Sequence, residues 1–282
     1  MGTCPTVASG QKEEKMSLME TISTPQDRPV LVTICGDSGM GKTSLAAAFP
    51  NPIFIRAEDG LQSIAMDKRP DAFPMVGNAQ QLWDQLTALI HEPHEYATLV
   101  IDSVTALERM FIADVLAQDP KAKSINQALG GYGAGVSAVA AMHQRVRKAA
   151  GVLNDKRAMH VVFVAHADVE TMRLPDSDDY MRYSLRLPPK SMPPYVDDVD
   201  VVGFVRLVSF TKGEDGERKK AISTGERELI CYATASNVSK NRYGITDALE
   251  FHPGENPLGN VIPALAPFAS IRSNTNKKDE AK

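Results

Sequence analysis

The sequence predicts an α/β fold, a mostly parallel central sheet flanked by helices and followed by a C-terminal β-hairpin. Three observations predict it. Short apolar runs at 30–35, 99–101 and 159–165 have the continuous character of strands buried on both faces. Between them, stretches such as AQQLWDQLTALIHE (79–92) carry apolar residues at helical spacing, here Leu82, Leu86, Leu89 and Ile90. The first run passes directly into GDSGMGKT (36–43), a glycine-rich loop followed by helix-forming residues.

That loop fits the phosphate-binding pattern G-x-x-x-x-G-K-[ST]. Glycines let the backbone curl until successive N–H groups face phosphate oxygens. The helix N-terminus adds partial positive charge. Gly36, Asp37, Ser38, Gly39, Met40, Gly41, Lys42, Thr43 and Ser44 are therefore the candidate ligand-binding residues. Lys42 neutralises the β- and γ-phosphates, and the Thr43 hydroxyl ligates Mg²⁺. A glycine turn without a ligand is the alternative, and the flanking strand and helix argue against it. The expected ligand is a nucleoside triphosphate with Mg²⁺.

At 282 residues the chain holds one large domain, expected at 28–272 between flexible tails at 1–27 and 273–282. A net charge of −4 excludes a global nucleic-acid signature, so any polymer contact needs local patches. Cys4, Cys35 and Cys231 are scattered, which suits a reducing cytoplasm and argues against disulfides or zinc. No apolar run approaches the ~18 residues of a membrane span. MGTCPT at the start fits an N-myristoylation pattern, a short motif with many accidental matches.

After the loop and its helix, NPIFIRAEDG (51–60) reads as a short strand ending in a carboxylate pair, Glu58 and Asp59. Ligands of open α/β sheets sit at such strand ends, and a polar turn at Asp59-Gly60 is the plainer reading. The helix at 79–92 follows, with Trp83 beside its stripe as a packing residue. ATLVID then gives a strand closed by Asp102, which is either a ligand of Mg²⁺ or a cap for the next helix. The loop upstream favours the metal. Ser103 stands where many ring ATPases carry a water-orienting glutamate, so a catalytic base must come from elsewhere, and Glu58 is the candidate.

A helix to about residue 118, a glycine-rich loop at 119–135 with Lys121 and Lys123, and a long amphipathic helix at 136–153 come next. Arg145, Arg147 and Lys148 on that helix either complement its dipole or form a phosphate-binding face. A buried strand ends at His166, a position suited to sensing the γ-phosphate or to a satisfied structural histidine. The polar, proline-rich stretch 167–198 reads as a long connection, functional or mobile. Strands at 198–210 and 227–236 form the hairpin, whose tip carries Lys219 and Lys220. SKNRYG (239–244) places Lys240 and Arg242 on one face of an extended segment, and 261–270 reads as a short closing helix.

Taken together, these pieces resemble the RecA/RadA family of recombination ATPases, most closely its compact phage-type members associated with single-strand annealing. GDSGMGKTS, FIRAEDGL, LVIDSVTAL, FVAHA and SKNRYG carry the resemblance in family order, across roughly 28–270. It implies a RecA-like core in which Glu58 activates water, Asp102 stands behind the metal and His166 couples the γ-phosphate to a DNA-binding loop. It also implies that Lys240 and Arg242 reach the ATP of a neighbouring subunit, which requires a head-to-tail ring or filament. His166 replaces the commoner glutamine. With no zinc module or large accessory domain, DNA contact would fall to the loops at 119–135 and 167–190.

The expected function is thus a DNA-stimulated ATPase of recombination, repair or phage replication, in the bacterial host cytoplasm if phage-encoded. Its expected partners are single-stranded DNA, further copies of itself, and a single-strand-binding or annealing protein. A nucleotide-dependent switch or loader acting on such a protein is the main rival. A small-molecule kinase is the other, and no arginine-bearing lid supports it.

Overall fold

The structure, a computed structural model, describes residues 19, 22–24, 27–175, 178–212 and 220–265. Apart from residues 19, 22–24 and 27, the expected tails lie outside the described residues, as does the hairpin tip with Lys219. The chain runs β1 (Leu31–Gly36), α1 (Lys42–Ala47), β2 (Pro52–Arg56), β3 (Asp71–Ala72), α2 (Ala79–His91), β4 (Thr98–Asp102) and α3 (Val104–Gln118). Then come α4 (Ala134–Arg157), β5 (His160–Met172), β6 (Tyr180–Leu185), α5 (Pro193–Val196), β7 (Val201–Lys212), β8 (Lys220–Ile230), β9 (Lys240–Asn241) and β10 (Leu249–Phe251).

The sheet order is β10-β8-β7-β1-β5-β4-β2-β3, with β6 added on β5 and β9 on β7. From β7 to β3 all neighbours are parallel, and β7, β8 and β10 continue antiparallel. This is the expected α/β fold with its mostly parallel sheet and C-terminal hairpin, except that the second hairpin strand is Lys220–Ile230 and not 227–236, so Lys220 begins the strand. Alternation along each strand divides the core into two layers. Leu31, Leu99, Ile101, Val161 and Phe163 face α2, α3, α4 and α5, whereas Val32, Ile34, Val100, Val162 and Val164 face α1 and the C-terminal segment.

Helix starts follow from side-chain caps. Asn78 accepts from Gln81 N at 3.0 Å to begin α2. Ser103 accepts from Ala106 N at 3.2 Å to begin α3, which frees Asp102 from that task. On α2, Leu82, Leu86 and Leu89 are buried, and Trp83 packs on Phe111 with the Arg145 guanidinium 4.2 Å over its ring. Arg147 donates to the Asp198 carbonyl, so these two cations of α4 serve packing and the anchoring of a loop.

Two expectations are corrected. The stretch 167–198 is no open connection, because β5 continues to Met172 and β6 pairs back on it, Glu170 opposite Arg182 with a 2.7 Å ion pair. Its polar composition and the proline-rich flank hid this hairpin, since residues 168–172 and 180–183 are exposed or half-buried on both faces. No regular α-helix closes the chain within the described residues. Pro257–Asn260 and Pro263–Leu265 form 3₁₀ turns instead, and 266–270 lie outside the described residues.

Candidate nucleotide site

Parallel strands bring their C-terminal ends to one edge, and the candidate residues collect there. The register places Gly36 opposite His166 and Arg56 opposite Asp102. The phosphate loop therefore leaves β1 beside the residue ending the buried part of β5, and Glu58 follows β2 next to the end of β4. Within the loop, Gly39 and Gly41 have φ of 80° and 88°, the left-handed region that glycine enters without strain. Gly41 caps α1 without any side-chain hydrogen bond, which leaves the first N–H groups of the helix for an anion.

Lys42 is buried, and its Nζ donates to the Asp37 carbonyl at 2.8 Å, holding the ammonium inside the curl of the loop. Burial lowers its pKa from the ordinary lysine value. The Thr43 hydroxyl donates to Asp102 Oδ2 at 2.7 Å, and Asp102 is itself buried. Burial pushes the Asp102 carboxyl up to about 6, against the opposing effect of the Thr43 bond.

The space beside this pair fits a divalent cation. A Cβ on Gly60 would stand 2.8 Å from both Asp102 Oδ2 and Thr43 Oγ1, so only glycine keeps the approach to the two oxygens open. A hydroxyl and a carboxylate are oxygen donors of the kind that magnesium takes. Bound there, it would neutralise charge on the β- and γ-phosphates.

Glu58 is joined to His166, whose Nε2 donates to Glu58 Oε1 at 2.9 Å, while His166 Nδ1 lies 3.5 Å from Ser38 Oγ. One imidazole thus spans the candidate base and the phosphate loop. Its backbone is held as well: His166 N donates to Thr105 Oγ1 at 3.0 Å and its carbonyl accepts from Arg186 N at 2.8 Å. The hydrogen bond from His166 lowers the Glu58 pKa, with help from Ser103, so the carboxylate is ionised and ready to accept. Arg109 stands 3.9 Å from the other Glu58 oxygen and is largely exposed, so it adds little. Asp59, also on the cavity wall, pairs with Arg56 at 3.5 Å.

These groups line a cavity of about 790 Å³, ample for a nucleoside triphosphate. Lys42, Thr43, Ser44, Glu58, Asp102 and His166 are all on its wall. Arg227, Phe251 and Pro253 complete it from the C-terminal part of the chain. Nothing in their sequence neighbourhood marks these three, because only the pairing of β8 and β10 beyond β7 carries them to the loop.

Lys240 and Arg242 are not part of this cavity. Lys240 lies opposite Val202, and Arg242 stands 3.4 Å from Asp200, whose carboxylate also accepts from Leu31 N at the start of β1. The phosphate loop follows the end of β1, about 17 Å away at strand rise. Within one chain the two cations serve the opposite edge of the sheet, with Lys240 Nζ donating to the Asp197 carbonyl at 2.7 Å.

No curated protein matches the chain. A family model described as an AAA domain matches residues 28–243. The match spans β1 to β9 and hence every element on the phosphate side of the cavity, and the chain belongs to this AAA-domain family of P-loop ATPases.

Proposed function

We propose that the chain is a RecA-like, Mg-ATP-hydrolysing enzyme of DNA recombination, repair or phage replication that binds single-stranded DNA as a head-to-tail homo-oligomer. The observation that carries this reading is the His166 bridge. The imidazole touches Glu58 and approaches Ser38 of the phosphate loop, and it sits where β5 leaves the central sheet to become the β5–β6 hairpin. A γ-phosphate arriving beside Ser38 competes for His166 and shifts the root of that hairpin.

In this mechanism Lys42 and the loop amides hold the phosphates, and Glu58 orients water and takes its proton. The output is a pair of exposed surfaces. Val169, Met181 and Tyr183 are exposed on the hairpin, and Tyr132 is fully exposed in the glycine-rich loop after α3. An aromatic ring on such a loop suits stacking on an unpaired base. Lys240 and Arg242, at the sheet edge opposite the phosphate loop, suit a contact with the loop of the next subunit.

The test is ATP hydrolysis by the full chain with and without single-stranded DNA, beside Lys42→Ala. Stimulation by DNA that Lys42→Ala abolishes supports the proposal. Low hydrolysis that DNA leaves unchanged, with ATP binding intact, sinks DNA coupling. The same exposed apolar hairpin favours a second reading, a nucleotide-dependent switch on an annealing or single-strand-binding protein. Stimulation by such a protein and not by DNA would select it.

A further inference from the structure

We propose that Arg227 is a polyphosphate-contacting residue of this site, a second cation supplied by the same chain, and that through it the β7–β8 hairpin is tied to the nucleotide. The inference rests on reading the cavity as a nucleoside triphosphate site.

Arg227 stands on β8, opposite Leu207 of β7 and Phe251 of β10. Its strand is separated from β1 by β7, so the phosphate loop and the Arg227 side chain meet over the end of β7. There its Nε donates to the Met40 carbonyl at 3.1 Å. The same Nε would lie 3.2 Å from a Cβ on Gly41, so the guanidinium rests directly against the left-handed turn that shapes the loop.

That contact uses one of five N–H donors. The Nη1 and Nη2 groups make no hydrogen bond among the described residues, and Arg227 lines the cavity together with Lys42, Thr43 and Ser44. Among the described lining residues the permanent cations are Lys42 and Arg227, facing Glu58, Asp59 and Asp102. Lys42 is held inside the loop by Asp37, whereas Arg227 approaches from outside at Met40 and Gly41. Two cations on either side of the loop suit a chain of phosphates better than one. Because a backbone carbonyl already holds Nε, the remaining fork is positioned before ligand arrives, and its pairing with phosphate loses little side-chain freedom.

A brace for the loop is the competing role, and the two are separable. Arg227→Gln removes the charge, Arg227→Lys keeps it, and both retain a donor. The affinities for Mg-ATP and for inorganic tripolyphosphate are measured by calorimetry from low to moderate salt, with thermal unfolding of the free protein alongside. We expect Arg227→Gln to weaken both ligands about 10- to 100-fold and to flatten the salt dependence. Arg227→Lys should recover part of each, with the free protein melting within about 3 °C of wild type. Affinity within twofold of wild type in Arg227→Gln overturns the inference. So does a loss whose salt dependence stays that of wild type, which marks a brace. A wild-type protein that binds neither ligand overturns the nucleotide reading itself, and the inference with it.

Discussion

Replacing Gly60 by alanine should cripple magnesium-dependent nucleotide binding while leaving the fold intact. Gly60 has φ −77° and ψ −24°, a conformation that alanine adopts freely. The backbone therefore raises no objection, and the loss of unfolded-state freedom stabilises the chain by about 0.4–1 kcal/mol. The damage falls on the site instead. The new Cβ would stand 2.8 Å from both Asp102 Oδ2 and Thr43 Oγ1, closer than Cβ atoms come to any neighbour.

Those two oxygens are joined by a 2.7 Å hydrogen bond, and Asp102 is buried, so neither has free room to retreat. Parting them forfeits a hydrogen bond to a charged group, roughly 1.5–3 kcal/mol of folding stability that outweighs the gain from the unfolded state. It also misplaces the two oxygens offered to magnesium, and losing one charge-assisted contact of that size lowers Mg-ATP affinity about 10- to 150-fold. Calorimetric titration with ATP in magnesium and again in EDTA, beside a thermal melt, reads all three quantities. Unchanged Mg-ATP affinity refutes the placement of the metal at Thr43 and Asp102. An equal loss in EDTA refutes it too, because the methyl would then be acting on the phosphates.

Three further outcomes follow from the core. His160 is buried and its Nδ1 accepts from Val30 N at 3.0 Å, and burial lowers its pKa from 6.5 to about 4. The neutral ring is the one the fold holds, so its contribution is complete above pH 6.5, drains away as pH falls toward 4 and is gone below. At about 1.4 kcal/mol per pH step the loss amounts to about 3 kcal/mol, and urea midpoints of wild type and His160→Gln across pH 7 to 4 would expose it as the difference between the two profiles, since the Asp102 carboxyl, pushed up to about 6, titrates in both. Tyr195→Phe should cost about 1–3 kcal/mol, because the buried Tyr195 hydroxyl lies 2.7 Å from Nδ1 of buried His143, whose Nε2 meets Glu108 at 2.7 Å. Nucleotide affinity should not move in that variant, and denaturant unfolding with a nucleotide titration checks both. Leu82→Ala empties a fully buried position on α2 and should cost about 2–5 kcal/mol in the same unfolding assay, and a cost below about 1 kcal/mol would contradict the packing described.

Much of this was legible in the residues, and the reason is locality. Strand, loop and helix around Gly36, Lys42 and Thr43 are contiguous, so their geometry follows from short-range rules. Glu58 and Asp102 end their strands, and in a parallel sheet all such ends reach one edge whatever the strand order. His166 is found the same way. What escaped lies in pairings that no local pattern encodes. Arg227, Phe251 and Pro253 reach the cavity only because β8 and β10 extend the sheet beyond β7. Beyond Ala167 the β5–β6 hairpin buries neither face fully, and its half-buried face carries the ion pair of Glu170 with Arg182, so it lacks the apolar alternation that betrays a strand. Lys240 and Arg242 do share one end of the molecule, but that end is set by the pairing of β9 with the start of β7 and by Asp200.

We propose Glu58 as the base of ATP hydrolysis, and Glu58→Gln tests that role most directly. The amide that replaces the carboxylate is isosteric and keeps an acceptor for the His166 Nε2 proton, so Mg-ATP binding should stay within about threefold of wild type. Loss of the base should lower the hydrolysis rate about 10²- to 10⁴-fold in the same preparation. Turnover that persists near the wild-type rate would contradict the account and move the base to another group.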